Sequence, residues 1–191
     1  MKILIFSLLS FSFAAQQIFV ACEGNFYQSN GSLSTISENQ VSEYEGNPLG
    51  EVVQSLYVNE DKLYVVVNGS GNIQVFDIND EGLIPSAYIN TEFSGPREIM
   101  IVENSLYFTN WYTADLKKFN LDTMEIEAEI DMPGLPEKII MHNGLLYVSI
   151  IMDFDWADGN KVVAVSLEED IIVNTFIVGE GPGDMVVHDN E

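Results

Sequence analysis

The sequence offers few side chains of the kind that do chemistry, and most of them sit in two short stretches. "DFDWADG" (residues 153–159) places Asp153, Asp155 and Asp158 close together, with Gly159 to turn the chain. Hard carboxylate oxygens at such spacing suit calcium. The twelve-residue calcium-loop pattern is not kept, because Ala157 fills its fifth position and no glutamate closes it. The competing expectation is a solvated acidic insertion. "NWYTAD" (residues 110–115) carries Trp111 and Tyr112, and the first stretch adds Phe154 and Trp156. Aromatic side chains on loops offer flat apolar faces and, for Trp and Tyr, a polar edge, which suits a ring-shaped or sugar-like ligand. Such residues can equally pack between neighbouring loops. Arg97, directly after Pro96, is one of only 7 basic residues and is a candidate for ligand contact or a local salt bridge. His142 and His188 stand beside Asn143 and Asp189 and read as turn residues rather than metal ligands. No Ser-His-Asp or Cys-His arrangement is visible, so binding is expected ahead of catalysis.

Composition narrows the partners. The 191 residues include 30 acidic against 7 basic, a formal charge of −23. Nucleic acid and anionic membrane surfaces need clustered Lys and Arg, which are missing here. The acidity serves solubility. With 47% apolar residues the chain has enough to build a core. A single cysteine permits no internal disulfide.

The elements that position these residues repeat. Leu-Tyr followed by an apolar residue begins at Leu63, Leu106 and Leu146, spaced by 43 and 40 residues. Loop prolines recur at Pro96, Pro136 and Pro182, spaced by 40 and 46. Each unit reads as four short strands. In the unit after Pro96 the expected strands are A (residues 98–102), B (105–109), C (115–121) and D (125–130). Alternating or continuously apolar runs of this length are strands, and no stretch carries a 3.6-residue period. Four strands per unit of 40 to 46 residues is the period of a β-propeller blade. The sequence therefore predicts an all-β propeller of four-stranded antiparallel blades, with about four blades' worth of chain. Strands B, C and D open the first unit, which has no strand A of its own. The chain closes on a final strand A, "DMVVH" (residues 184–188). That last strand either completes the first unit, making a closed four-bladed ring, or belongs to a larger propeller. In either case the B–C and D–A loops share one rim, and both tryptophans lie on it.

The N-terminus carries Lys2 and an apolar run of 13 residues (3–15), too short to span a bilayer, which takes about 20. It reads as an export signal over residues 1–15, with the propeller over 16–191. No other segment is long and apolar enough to cross a membrane. Cys22 raises the possibility of a lipid anchor, since Phe19-Val20-Ala21-Cys22 approaches a lipoprotein cleavage motif. The repeat argues against it: Ile18-Phe19-Val20 aligns with Leu63-Tyr64-Val65, so cleavage at Cys22 removes most of a strand.

"LYFTNWYTADLKKFNLDT" and "FIVGEGPGDMVV" resemble the YVTN or YncE-like β-propeller family, whose repeat reads roughly as "LYVTN", a loop, "VxVID" and a "VGxGP" turn. The opening "EGNFYQSNGSLS" is similar to exported propellers of Bacteroidetes. The resemblance covers residues 18–191. It implies a seven-bladed propeller, of which this sequence supplies an N-terminal part, export to the periplasm or cell surface, and a ligand-binding role. A small molecule or an envelope protein is the expected partner. A propeller hydrolase or lyase and a protein–protein scaffold are the alternatives. Sequencing the exported protein should find a mature N-terminus near Ala15; a diacylglyceryl-modified Cys22 as first residue contradicts that expectation.

Overall fold

The computed structural model describes residues 16–80 and 82–188. The expected signal segment and the last three residues lie outside the described residues. Fifteen strands form four antiparallel sheets in chain order. Blade I has three strands, β1 (Gln17–Cys22), β2 (Ser32–Ser37) and β3 (Gln40–Glu43). Blade II contains β4 (Val53–Asn59), β5 (Lys62–Val67), β6 (Asn72–Asn79) and β7 (Gly82–Asn90). Blade III contains β8 (Pro96–Val102), β9 (Ser105–Asn110), β10 (Asp115–Asn120) and β11 (Glu125–Asp131). Blade IV contains β12 (Leu135–His142), β13 (Leu145–Met152), β14 (Asp158–Ser166) and β15 (Ile172–Ile177). The four-stranded meander and the missing first strand of blade I both match the repeat.

Alternation within each strand sends side chains to two neighbouring blades. Leu106 and Phe108 of β9 point one way and pack with Tyr64, Val66, Ile73 and Val75 of blade II. Tyr107 and Leu116 point the other way, against Ile139, Leu146 and Val148 of blade IV. Leu33, Val53, Leu63 and Phe76 join blades I and II, with Phe19 and Ala21 of β1 packed against them. A blade buries its faces only between two others, which is why the Leu-Tyr strands β5 and β9 are the most buried parts of blades II and III while β1 of blade I has no fully buried residue.

A second device joins the blades. The first strands of blades III and IV are irregular just after their prolines, with register shifts between Pro96 and Ile99 and between Pro136 and Ile139. Thr109 Oγ1 accepts from the Glu98 amide at 3.1 Å and donates to the Glu137 carbonyl of the next blade at 2.9 Å. Ser149 Oγ repeats this, accepting from the Lys138 amide at 3.0 Å and donating to the Gly183 carbonyl at 3.2 Å. One hydroxyl thus satisfies the amide freed by the irregularity and staples the next blade. This gives a physical reason for the "T" and "S" after the apolar residues of "LYFTN" and "LYVSI".

The expected final strand A is only half realised. Residues 182–188 form no strand, although Gly183 is bonded to blade IV as the equivalent residue of an inner strand is. Nor does β1 pair on its inner side, since it is an edge of its sheet. The closed four-bladed ring therefore does not form, and the described blades make an open arc. Loss of the hydroxyl in Thr109→Val or Ser149→Ala leaves a buried amide and carbonyl unmet, and each should cost about 1–3 kcal/mol in denaturant unfolding. A change under about 0.5 kcal/mol in both variants contradicts the staple.

Candidate functional site

On the rim where B–C and D–A loops interleave, one loop's backbone locks onto the next. The amides of Trp111 and Tyr112 donate to the carbonyls of Gly95 and Ser94 at 3.0 and 2.9 Å. Beneath them runs a polar chain. Ser94 Oγ donates to Asn110 Oδ1, and Asn110 Nδ2 donates to Asp115 Oδ1 at 2.7 Å. Asp115 Oδ2 and Glu129 Oε2 both lie 3.0 Å from Lys117 Nζ. Lys117 is buried. Burial opposes its charged form, but the bonds it donates to the Asp115 and Glu129 carboxylates outweigh that, so its pKa lies above the ordinary 10.5.

Arg97 is the centre of the rim. It sits on β8, and its Nε and Nη2 donate to the two carboxylate oxygens of Glu137 on β12, both at 2.9 Å. Nη1 donates to Gln54 Oε1 on β4 at 2.6 Å. The guanidinium carbon stands 3.9 Å from the centroid of the Trp111 ring, a cation–π seat. Trp111 in turn meets Trp156 of blade IV edge to face, centroids 6.2 Å apart and planes at 76°. One continuous stack therefore runs from Glu137 through Arg97 and Trp111 to Trp156, tying blades III and IV, and the Arg97 bond to Gln54 adds blade II.

The two tryptophans have different environments. Trp111 is half-buried, and its Nε1 is buried without a hydrogen-bond partner among the described residues. Trp156 is 63% exposed and holds φ at +67°, a left-handed backbone that bulky residues seldom adopt. Its loop is closed by Asp153 N donating to Ala157 O at 2.9 Å and Trp156 N donating to Asp153 O at 3.0 Å. The same backbone region is used by thirteen other described non-glycine residues, among them the turn residues Asn39, Glu60, Glu103 and Asn143, so at Trp156 it marks a tight turn that aims the side chain outward. Tyr112 and Phe154 are also exposed, at 62% and 66%. Tyr112 lies over Gly95, where a Cβ would approach its ring to 2.9 Å and φ is +73°. Phe93, exposed on the preceding D–A loop, crosses Gly71 with its backbone, where a Cβ would come within 2.8 Å of the Phe93 Cα.

The sequence expectations divide accordingly. Trp111, Tyr112, Phe154 and Trp156 share the rim as expected. Arg97 makes a salt bridge, and it reaches the next blade rather than a local partner. The three aspartates do not converge: Asp153 is 2.8 Å from Lys161 Nζ, and Asp155 Oδ1 accepts from the Ala157 amide. Among the described residues no three His, Cys, Asp or Glu gather as a metal site, so the calcium reading gains no geometry. His142 ends β12, at the A–B turn on the opposite rim. Cys22 ends β1 and is exposed. Gln54 and Phe93 went unrecognised as parts of this rim; Glu137 stands at the start of an inner strand, where the sequence places it, but its pairing with Arg97 was not foreseen. The signal was present: Gln54, Arg97 and Glu137 occupy one repeat position, 43 and 40 residues apart. A cleft of about 590 Å³ lined by Phe19, Thr35, Tyr44, Asp80 and Pro85 lies between blades I and II, away from the tryptophans.

No family model and no curated protein matches the chain. Solved structures do match in fold. A protein from Bacteroides fragilis assigned as a 6-phosphogluconolactonase superimposes with a TM-score of 0.62 at 15% identity, over 84% of this chain and 53% of its own. A second such protein, from Bacteroides uniformis, gives 0.63 at 12% identity, over 85% and 53%. The WD40 β-propeller domain of Doa1 gives 0.59 at 10% identity, over 77% and 47%. At such identities the likeness shows the fold alone: the chain is a β-propeller arc spanning about half the length of these solved chains.

Proposed function

We infer that this chain is the binding part of an exported, YncE-like β-propeller, presenting its aromatic rim to a small molecule or to an envelope protein. The observation that carries the reading is the pair of tryptophans. Trp156 stands exposed on a loop closed by backbone bonds, and the Trp111 ring behind it is seated by Arg97. A rigid, solvent-facing aromatic surface loses little entropy on binding. Export is supported by the N-terminal segment read in the sequence. The start of β1 at Gln17 favours cleavage before that residue, because loss of residues 17–21 would remove Phe19 and Ala21 from the packing between blades I and II.

A hydrolase reading draws on the assignment of the two Bacteroides proteins. The charged groups at the starts of the inner strands favour the binding reading instead. Arg97 is engaged with Glu137, and Lys138 with Glu98. Both of these pairs join neighbouring blades, as a scaffold for ligand contact requires.

The chain has only 2 tryptophans, both on this rim, so fluorescence excited selectively at tryptophan, beyond the absorption of the 8 tyrosines, reports the site. Titration with fractions of a metabolite or envelope extract should give a saturable change in emission. Once a ligand is isolated, Trp156→Ala should weaken its binding by roughly 1–3 kcal/mol while leaving Tm nearly unchanged. Trp111→Ala should lower Tm as well, because it empties the seat of Arg97. A Trp156→Ala protein that binds normally and melts early contradicts the reading and assigns Trp156 to packing.

A further inference from the structure

Between blades III and IV, towards the rim opposite the tryptophans, the protein seats an ammonium of its own. Lys118 of β10 donates to both carboxylate oxygens of Asp170, on the turn between β14 and β15, at 3.2 and 3.0 Å. Its Nζ also stands 6.0 Å from the centroid of the Tyr107 ring. The pair is largely shielded from water, with side chains 17% and 25% exposed. The bond to Asp170 holds the lysine pKa above 10.5. A ring and a carboxylate are the two groups that seat an organic cation.

The repeat places the same frame between blades II and III, without the lysine. Val75 pairs with Tyr64 across β5 and β6 as Lys118 pairs with Tyr107 across β9 and β10. Val75 and Lys118 are therefore one repeat position, 43 residues apart. Met124 corresponds to Asp170 in the same way. Both have a left-handed φ, +59° and +54°, and each amide donates to the carbonyl four residues back, at 2.9 and 3.1 Å. Where Lys118 and Asp170 meet one interface on, Val75 and Met124 line an open cleft of about 360 Å³, with Tyr64 in its wall. That volume suits a small organic molecule.

The carboxylate missing at Met124 is supplied around it. Asp122 of the same turn, Glu103 between β8 and β9, and Glu60 between β4 and β5 all line the cleft. All three are exposed, and none pairs with a cation among the described residues. Lys62, the one basic residue in the lining, is already bonded to Asp77. An anionic ligand would meet three carboxylates here and no free cation.

We propose that the cleft between blades II and III binds a small primary alkylammonium, which takes the place that the Lys118 side chain fills between blades III and IV. Its hydrocarbon lies along Val75 and Met124. Its ammonium meets the Tyr64 ring and the carboxylates of Glu60, Glu103 and Asp122. The cleft is separate from the aromatic rim, so the two sites stand or fall independently.

The test is titration of the protein with n-butylammonium, the lysine side chain from Cβ outward, followed by NMR. Saturable shifts should centre on residues of the cleft such as Ala87 and Met124. n-Butanol, of similar length and uncharged, should give none. Asp122→Asn should weaken binding several-fold, whereas Glu38→Gln on blade I should leave it unchanged. Val75→Lys combined with Met124→Asp installs the pair found one interface on. That protein should lose the binding and melt no lower than the native one, because a tethered ammonium replaces the ligand. Asp122→Asn, an exposed change, carries the test should the double variant fold poorly. Shifts spread evenly over the acidic surface overturn the proposal, as does an equal response to n-butanol. Undiminished binding in Asp122→Asn or in the folded double variant overturns it too.

Discussion

Arg97 holds three blades at once, and the geometry of the rim depends on it. Its fork binds Glu137 of blade IV through two parallel bonds, its remaining arm binds Gln54 of blade II, and its face carries Trp111 of blade III. A planar guanidinium can do all three, whereas a lysine ammonium has neither the fork nor the face. Both partners of the pair are only 15% exposed, so water screens the interaction weakly. Blade packing through Leu and Tyr sets the stacking order of the blades. The Arg97 clamp sets how the loops above them are presented.

The acidity of the chain takes on structure in this light. Every described basic residue is paired with a carboxylate: Lys62 with Asp77, Arg97 with Glu137, Lys117 with Asp115 and Glu129, Lys118 with Asp170, Lys138 with Glu98 and Asp184, and Lys161 with Asp153. Arg97, Lys118 and Lys138 bridge successive blades or blade and tail. The few cations thus serve the joints, and the carboxylates they do not reach add to the net negative charge of the surface.

Much of the fold was legible in the sequence because a propeller repeats one packing problem. The Leu-Tyr strand, the loop proline and the 40-residue spacing mark the same positions in every blade, and the strands of blade III fall within two residues of expectation. The last strand was legible in pattern but is not formed, since a strand needs a bonded neighbour as well as a suitable sequence. The site was legible in part. Aromatics on B–C loops could be assigned to one rim, yet Trp111 and Trp156 looked alike. Their difference arises from Arg97 and from a left-handed backbone at residue 156, neither of which a spacing reveals. The Arg97–Glu137 pairing was hidden because the two residues lie a full repeat apart, and Asp153 looked like a metal ligand because Lys161 follows it across a tight turn.

The central claim is that the Arg97–Glu137 pair couples blades III and IV and seats the tryptophan stack. A double-mutant cycle of Arg97→Met and Glu137→Met, read by chemical denaturation, tests it most directly. The account predicts that each single change costs about 3 kcal/mol, because it strands a largely buried charge, and that the double costs much less than the sum. Additive effects, with a coupling under about 0.5 kcal/mol, would contradict it and leave the apolar blade faces as the sole joint.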